Sequence, residues 1–588
     1  MRQKFLLTIV AGGMSCLTAM AQSISPNYKS VNEGNPISAS VFCADPTALE
    51  YKGRLYVYGS NDHQQYLKNG KKGDNGYGDI KSLVVFSTDD MVNWTFHGTI
   101  DVDKICSSWT KNPWYHGFGV SWAPSVTWRT TKDGTDEFFL YFCNSSHGVG
   151  VLKADSPLGP WKSPLKELMI HRDTPGATPC SAVFDPGVTI DENGVGWITF
   201  GGLDPVDGGT SFNPQNARIA KLKPSMTGID GEIVKIPAPY HFEANELNVI
   251  DGKYVYTYCS NWAQRQDSEW NAYKAKKGIS VSKPDLCTMC YMVSDNPMDP
   301  DSWVYKGVYG PHPGSSPNNH SHLQKFQGSY YHIYHSGALL ESMKNAKAVD
   351  ASASGYRSIC VNKAVVNETT QKISTVTMNK SGVTAVHYMN PYELQQAETM
   401  STSGGVNYED FQNVGVVASS SLGNDASRNL KVKMAPGAWA MVRKVDFGDL
   451  GAASFTLRAK GTGKMEIRLG DSNNTVRAAK TVANVEFSSL VFSNQTVKLD
   501  PAEFQGVKNV FFLFTEGKDV QFDSWQFSEL ESDGISSPSS SSSLSTPQSY
   551  DVMGRHLPAT GQQPSIVIEP YVDQQGVQRV RKHIAPTR

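Results

Sequence analysis

The sequence predicts an all-β protein, a five-bladed β-propeller followed by a β-sandwich of jelly-roll type. Three observations carry this reading. A degenerate motif recurs five times along the first two thirds of the 588 residues. The composition favours turns and aromatic strands, with 51 Gly, 25 Tyr, 24 Phe and 12 Trp. Beyond residue 390 the alternation of apolar and polar residues continues, but the motif does not.

Each copy of the motif has a polar or Trp head, a short strand, a turn with glycine and an aromatic-rich strand ending in small residues. The copies begin at Asp45, Trp122, Asp185, Glu243 and His320, and their turn glycines are Gly53, Gly134, Gly194, Gly252 and Gly328. Asp-Gly and Asn-Gly turns favour tight hairpins. A recurrence of roughly 60–80 residues leaves room for four strands and their loops, slightly above the familiar propeller periods. Residues 26–390 are therefore read as five blades. The inner strands of a propeller run beside its axis, so five heads far apart in sequence become neighbours around one funnel. A β-sandwich, or a six-bladed ring with one unrecognised blade, is the alternative.

Residues 394–531 read as a small β-sandwich, from alternating stretches that begin at Ala438, Ser454, Lys464 and Val510. The Ser-rich run at 532–548 is too polar to fold and reads as a flexible linker. A tail at 549–588 follows. At the other end, Arg2 and Lys4 precede an apolar stretch from Phe5, and Ala19 and Ala21 supply small residues for cleavage. Residues 1–21 thus read as a signal peptide, with a secreted, periplasmic or cell-surface destination. Gly12 and Gly13 interrupt the run, so it reads as no membrane span. Charge is balanced, 54 Lys+Arg against 56 Asp+Glu, which argues against a nucleic-acid partner. Of nine cysteines, one is Cys16 in the leader. Cys287 and Cys290 form the one close pair, read as a local disulfide or two ordinary thiols.

The heads suggest the chemistry. Asp45, Asp185 and Glu243 are three carboxylates at equivalent positions on different blades. Cleavage of a glycosidic bond needs one protonated and one ionised carboxyl group flanking it. Three crowded acids cannot all ionise easily, so at least one pKa should rise. Asp-Pro turns at Asp45-Pro46 and Asp185-Pro186 also have a plain structural use as blade entries.

Ala44-Asp45-Pro46, Ser121-Trp122-Ala123-Pro124, Phe184-Asp185-Pro186-Gly187 and Phe242-Glu243-Ala244 together resemble glycoside hydrolase family 43. The resemblance implies a five-bladed propeller that inverts the anomeric centre. It implies Asp45 as general base, Glu243 as general acid and Asp185 as the residue that orients the acid and raises its pKa. His320, in Asn318-Asn319-His320, resembles the family's central histidine, which in some members orders a calcium ion. Here Ser321 stands where a second histidine is usual, and His322 follows. Arg357 resembles a sugar-binding arginine, and Trp122 is read as a wall of the sugar pocket. The aromatic loop from Trp109 to Phe118 is a candidate rim for a polymer.

Gln396-Ala397-Glu398, Gly437-Ala438-Trp439 and the run Phe522-Asp523-Ser524-Trp525 resemble carbohydrate-binding module family 6. The resemblance implies a structural calcium with Glu398 and Asp523 as ligands. Val416 replaces an aromatic residue and Gln521 an asparagine, so the sugar platform of the module is expected to be weak. The tail, through Tyr550-Asp551-Val552 and its basic end, resembles a sorting tail of the Bacteroidetes type nine secretion route.

The leading expectation is a hydrolase that removes α-L-arabinofuranosyl side groups from arabinoxylan, a plant cell-wall polysaccharide. It would use no organic cofactor. β-Xylosidase and endo-arabinanase are alternatives within the family, and a non-catalytic carbohydrate-binding propeller is the alternative outside it.

Overall fold

The computed structural model describes residues 23–110, 117–412, 430–471 and 473–530 in full, and residue 413 in its backbone. It also describes the backbone strands Gln548–Tyr550, His556–Leu557, Ser565–Val572 and Gln578–Ala585. The proposed leader with Cys16, the middle of the 109–118 loop, Val416 and nearly all of the Ser-rich stretch lie outside the described residues.

Four blades have the expected four antiparallel strands. Blade I is Ala44–Tyr51, Arg54–Ser60, Leu83–Thr88 and Trp94–Ile100. Blade II is Trp122–Thr130, Asp136–Cys143, Gly148–Ala154 and the short Ile170–His171. Blade III is Gly187–Ile190, Gly196–Phe200, Arg218–Leu222 and Ile229–Lys235. Blade IV is His241–Ile250, Lys253–Ser260, Met289–Ser294 and Val304–Gly310.

Blade V departs from the expectation. It has three strands, Ser321–Phe326, Ser329–Ser336 and Ser358–Ala364. The segment just before blade I takes the place of a fourth. Ile37 donates its N–H to the Ile359 carbonyl at 2.9 Å. The Asn35 side chain accepts from Val361 N–H at 2.7 Å and donates to the Val361 carbonyl at 3.0 Å. The exposed edge is thereby satisfied, and the ring is closed by joining its two ends.

Alternation along the strands builds a core at every blade boundary. Phe138, Leu140 and Phe142 pack toward blade I, with Leu49, Tyr58 and Val85. Their neighbours Phe139 and Tyr141 pack toward blade III, with Val188 and Ile198. Both faces of the strand are buried, which explains its unbroken apolar run. Comparable cores join blades III and IV, IV and V, and V and I. Each fully buried Leu or Phe contributes about 1.5–3 kcal/mol.

The second domain is a β-sandwich around one core that includes Phe455, Leu457, Phe512, Trp525 and Phe527. Its long strand Val507–Glu529 pairs with Gln395–Gln396, Leu430–Lys433, Trp439–Asp446 and Ala452–Gly470. Register shifts along the pairing of Val507–Glu529 with Ala452–Gly470 bend both strands. The propeller and sandwich belong to one compact unit ending at Leu530. Thr399–Met400 extends blade I by pairing with Trp94 and Thr95, and Asn93 and Arg443 exchange hydrogen bonds across the junction. The segment before the propeller lies on the sandwich, where Ser25 bonds Gly437 and Trp439. Residues 531–588 form a second unit. Its four described strands make one antiparallel sheet.

Candidate active site

The pairing registers place the heads on one face of the ring. Ala44 lies opposite Ser60, Trp122 opposite Cys143, and Glu243 opposite Cys259. First strands therefore begin, and second strands end, at a common mouth. Backbone irregularities aim the heads inward. Asp45 and Asp185 have φ of 49° and 47°, and Ala123 and Ala244, which follow the Trp122 and Glu243 heads, have 32° and 61°. Such conformations cost about 1–3 kcal/mol each in non-glycine residues and cluster at functional sites. The ladder slips at three of these points, between Ala44 and Thr47, between Trp122 and Ser125, and around Glu243.

The result is one pocket of about 120 Å³. Asp45, Asp185, Glu243, Trp122, His320 and Arg357 all line it, and Tyr77, Phe184 and Asn318 complete the wall. A larger hollow of about 980 Å³ lies between the outer parts of blades IV and V. Its one carboxylate is Asp285, and none of the heads reaches it.

Asp45 is held from three sides. Ser60 Oγ donates to its Oδ2 at 2.7 Å, and Arg357 Nη1 donates to its Oδ1 at 2.7 Å. Its own N–H donates to His335 Nδ1 at 3.1 Å. Burial alone would raise the Asp45 carboxyl, but the Arg357 guanidinium together with His335 and His320 outweighs it and holds the group well below the usual carboxylate range. Arg357 is itself locked by Asp62, which accepts from Nε and Nη2 at 2.9 Å each. The guanidinium also lies 5.0 Å from the centre of the Tyr77 ring.

The other two acids behave in the opposite way. Burial, then the Asp185 charge, pushes Glu243 well above its ordinary value. Burial also raises Asp185, against the pull of His320. Asp185 is fastened to the Glu243 strand: its Oδ2 accepts from Ala244 N–H at 2.9 Å, and its carbonyl accepts from Asn245 Nδ2 at 3.0 Å. His320 sits between the two aspartates, with Nδ1 at 3.8 Å from Asp45 and 3.9 Å from Asp185. Burial lowers its pKa, which favours a neutral ring. His322 Nδ1 lies 3.2 Å from the buried Glu246.

Sequence reasoning missed Ser60, Asp62, Tyr77 and His335. Ser60 and His335 lie at or next to the small-residue ends of second strands, a signal the repeat already contained. Asp62 opens the helix Asp62–Lys68 and Tyr77 lies in the loop after it, a stretch with no motif. Cys287 and Cys290 are buried thiols, and Cys287 faces Cys259 at 3.7 Å instead of its sequence neighbour.

Glu398 and Asp523 are both buried in the sandwich. Burial raises the Glu398 carboxyl to about 8, and Asp523 adds to the shift. Glu398 Oε2, Gln396 Oε1 and Gln521 Oε1 are buried oxygens with no hydrogen-bond partner. Among the described residues no group of three His, Cys, Asp or Glu is suited to a metal. A calcium site here would draw on amide oxygens beside the two carboxylates, a donor set that suits this ion.

Comparison with known proteins follows the same division of the chain. Residues 33–350 match Glycosyl hydrolases family 43, and residues 396–529 match the Carbohydrate binding module (family 6). An arabinoxylan arabinofuranohydrolase of Paenibacillus polymyxa is 33% identical over 85% of this chain and 75% of its own length. One of Bacillus subtilis is 32% identical over 89% of this chain and 98% of its own. A crystal structure of a family 43 arabinoxylan arabinofuranohydrolase from Bacillus subtilis, in complex with cellotetraose, superposes with a TM-score of 0.72 at 32% identity, covering 87% of this chain and 99% of that one. With its five-bladed propeller and its carboxylate-lined pocket, the chain belongs to glycosyl hydrolases family 43.

Proposed function

We propose that the protein is an inverting, exo-acting α-L-arabinofuranosidase that releases arabinofuranosyl side groups from arabinoxylan. The observation that carries this reading is the opposed electrostatics of one small pocket. Asp45 is kept ionised by Arg357, and Glu243 is kept protonated by burial and by Asp185. These are the states needed for a base that activates water and an acid that protonates the leaving oxygen. The pocket volume of about 120 Å³ supports removal of single units. Pockets for larger ligands run to roughly 300–1,000 Å³. The relatives named above support the choice of sugar.

In this mechanism the unit to be removed enters the pocket against Trp122 and Tyr77. Asp45, fixed by Ser60 and Arg357, takes a proton from water as that water attacks the anomeric carbon. Glu243 gives its proton to the oxygen that stays with the polymer. Asp185, tied to Ala244, orients Glu243 and keeps it protonated.

The same reading includes a structural calcium held by Glu398 and Asp523, with help from Gln396 and Gln521. It also includes export, supported by the N-terminal residues, and a sorting role for the tail. Mature protein recovered outside the cytoplasm and starting at Gln22 would support export. The test of activity is assay on aryl α-L-arabinofuranoside, aryl β-D-xyloside and arabinoxylan. Arabinose release from the polymer supports the proposal; turnover of the xyloside alone contradicts it.

A further inference from the structure

We infer that Tyr408, in the second domain, is a positioning residue for the pocket of the first, acting on Asp45 through Asp62 and Arg357. This rests on the proposed role of Asp45 as the base. Tyr408 lies within the stretch that matches the carbohydrate-binding module, at the single turn Tyr408–Asp410. It reaches across to blade I, where its ring lies 6.0 Å from that of Phe96.

Two of its contacts bracket one residue. Asn61 Nδ2 donates to the Tyr408 hydroxyl at 3.2 Å. The His63 ring stacks on the Tyr408 ring, 4.3 Å between centres and 16° between planes. Between Asn61 and His63 stands Asp62, the first residue of the helix Asp62–Lys68, for which Asn61 is the N-cap. Both neighbours are also tied to the propeller. Asn61 Nδ2 donates to Ser82 Oγ at 2.9 Å, and His63 Nδ1 accepts from Phe42 N–H at 3.3 Å. Burial lowers the His63 pKa to about 3, so the stacked ring is neutral near neutral pH. Next to Tyr408 in the chain, Glu409 pairs with Lys71 at 3.1 Å.

The task of Asp62 depends on where it stands. It is fully buried. It accepts three hydrogen bonds from Arg357, from the backbone N–H at 3.0 Å and from Nε and Nη2 at 2.9 Å each. A guanidinium forked on a carboxylate has its direction fixed as well as its place. Nη1 is thereby aimed at Asp45 Oδ1, 2.7 Å away. Contacts run without a break from Tyr408 to Asn61 and His63, then to Asp62, Arg357 and Asp45. Asp45 is also faced by His335, His320, Cys43, Asp185 and Glu243, and the junction reaches it by way of Arg357. Contiguity alone does not establish coupling; a shift at one end must move the other.

The experiment measures pH–rate profiles of the full chain on an aryl α-L-arabinofuranoside. This substrate is too small to need a polymer-binding domain, so a loss on it reports on the pocket. Tyr408→Leu removes the hydroxyl and the stacking ring but keeps an apolar group against Phe96. It should lose about tenfold in kcat with KM nearly unchanged. Its acidic limb should move to higher pH, because a loosened Arg357 holds Asp45 down less firmly. Tyr408→Phe keeps the stack and loses the bond to Asn61, so it should show both changes at roughly two- to threefold in kcat. It also carries the test if Tyr408→Leu does not fold. Phe411→Leu is the control for lost packing, since Phe411 meets Phe96 at 4.9 Å in the same junction. It should lower Tm and leave the limb in place. A wild-type profile in the Tyr408 variants, or the same limb shift in Phe411→Leu, overturns the positioning role alone. A wild type inactive on the arabinofuranoside overturns the functional reading, and the positioning role with it.

Discussion

Arg357 Nη1 donates to Asp45 Oδ1 at 2.7 Å while Asp62 holds the other side of the guanidinium. One buried cation thereby serves two buried carboxylates, and its position decides which acid of the pocket is ionised. Asp45 lies next to it and is held down. For Glu243 the guanidinium is a minor influence, outweighed by burial and by Asp185.

Glu243→Gln should lose about 10²–10⁴ in kcat on arabinoxylan. The loss should be much smaller on a dinitrophenyl arabinofuranoside, whose leaving group needs no proton. Asp45→Asn should lose activity on both substrates alike. Steady-state rates on the two substrates check this pattern.

The pH dependence of kcat/KM should be bell-shaped, with Asp45 setting the acidic limb and Glu243 the alkaline limb. Arg357 holds Asp45 down, so Arg357→Met should raise the Asp45 pKa and move the acidic limb to higher pH. Asp185→Asn removes a charge that raises Glu243, so the alkaline limb should move to lower pH. Full pH–rate profiles of both variants provide the check.

Ser60 accepts from Ala123 N–H at 2.8 Å and donates to Asp45 Oδ2, so one hydroxyl ties blades I and II at the base. Ser60→Ala leaves a buried N–H unpaired and frees one carboxylate oxygen. The expected cost is about 1–3 kcal/mol in stability, measured by denaturant unfolding, together with a kcat loss on the order of tenfold, about 1.4 kcal/mol.

Glu398 carries a folded-state pKa of about 8, above its ordinary value. A raised carboxyl stabilises fully below the unfolded pKa of about 4.3, and that contribution is lost as pH rises toward 8. With calcium chelated, Tm should therefore fall between pH 5 and pH 8. The proposed calcium would bind the ionised carboxylate, so added calcium should raise Tm far more at pH 8 than at pH 5. Glu398→Gln should remove most of this difference. Calorimetry with and without chelator makes the measurement.

The head residues were legible in the sequence because a repeat fixes register: once Gly53, Gly194 and Gly252 are aligned, Asp45, Asp185 and Glu243 fall at one height of the ring. Blade V's edge was not legible, since a side chain, Asn35, does the work of a strand. Asp62 and His335 were not legible for a related reason. Each acts on Asp45 or Arg357 across some 300 positions, and nothing local marks an aspartate that will meet a buried arginine. The approach of Cys287 to Cys259 depends on the segment that enters Met289–Ser294 meeting the end of Lys253–Ser260, a relation that proximity to Cys290 conceals.

The most direct test of the central claim, that Asp45 and Glu243 act from opposite sides of one sugar, is the anomer first released. Proton NMR during hydrolysis of an aryl α-L-arabinofuranoside should show β-L-arabinofuranose ahead of mutarotation, and no product with Asp45→Asn. Initial release of the α anomer, or undiminished turnover by Asp45→Asn, would contradict it.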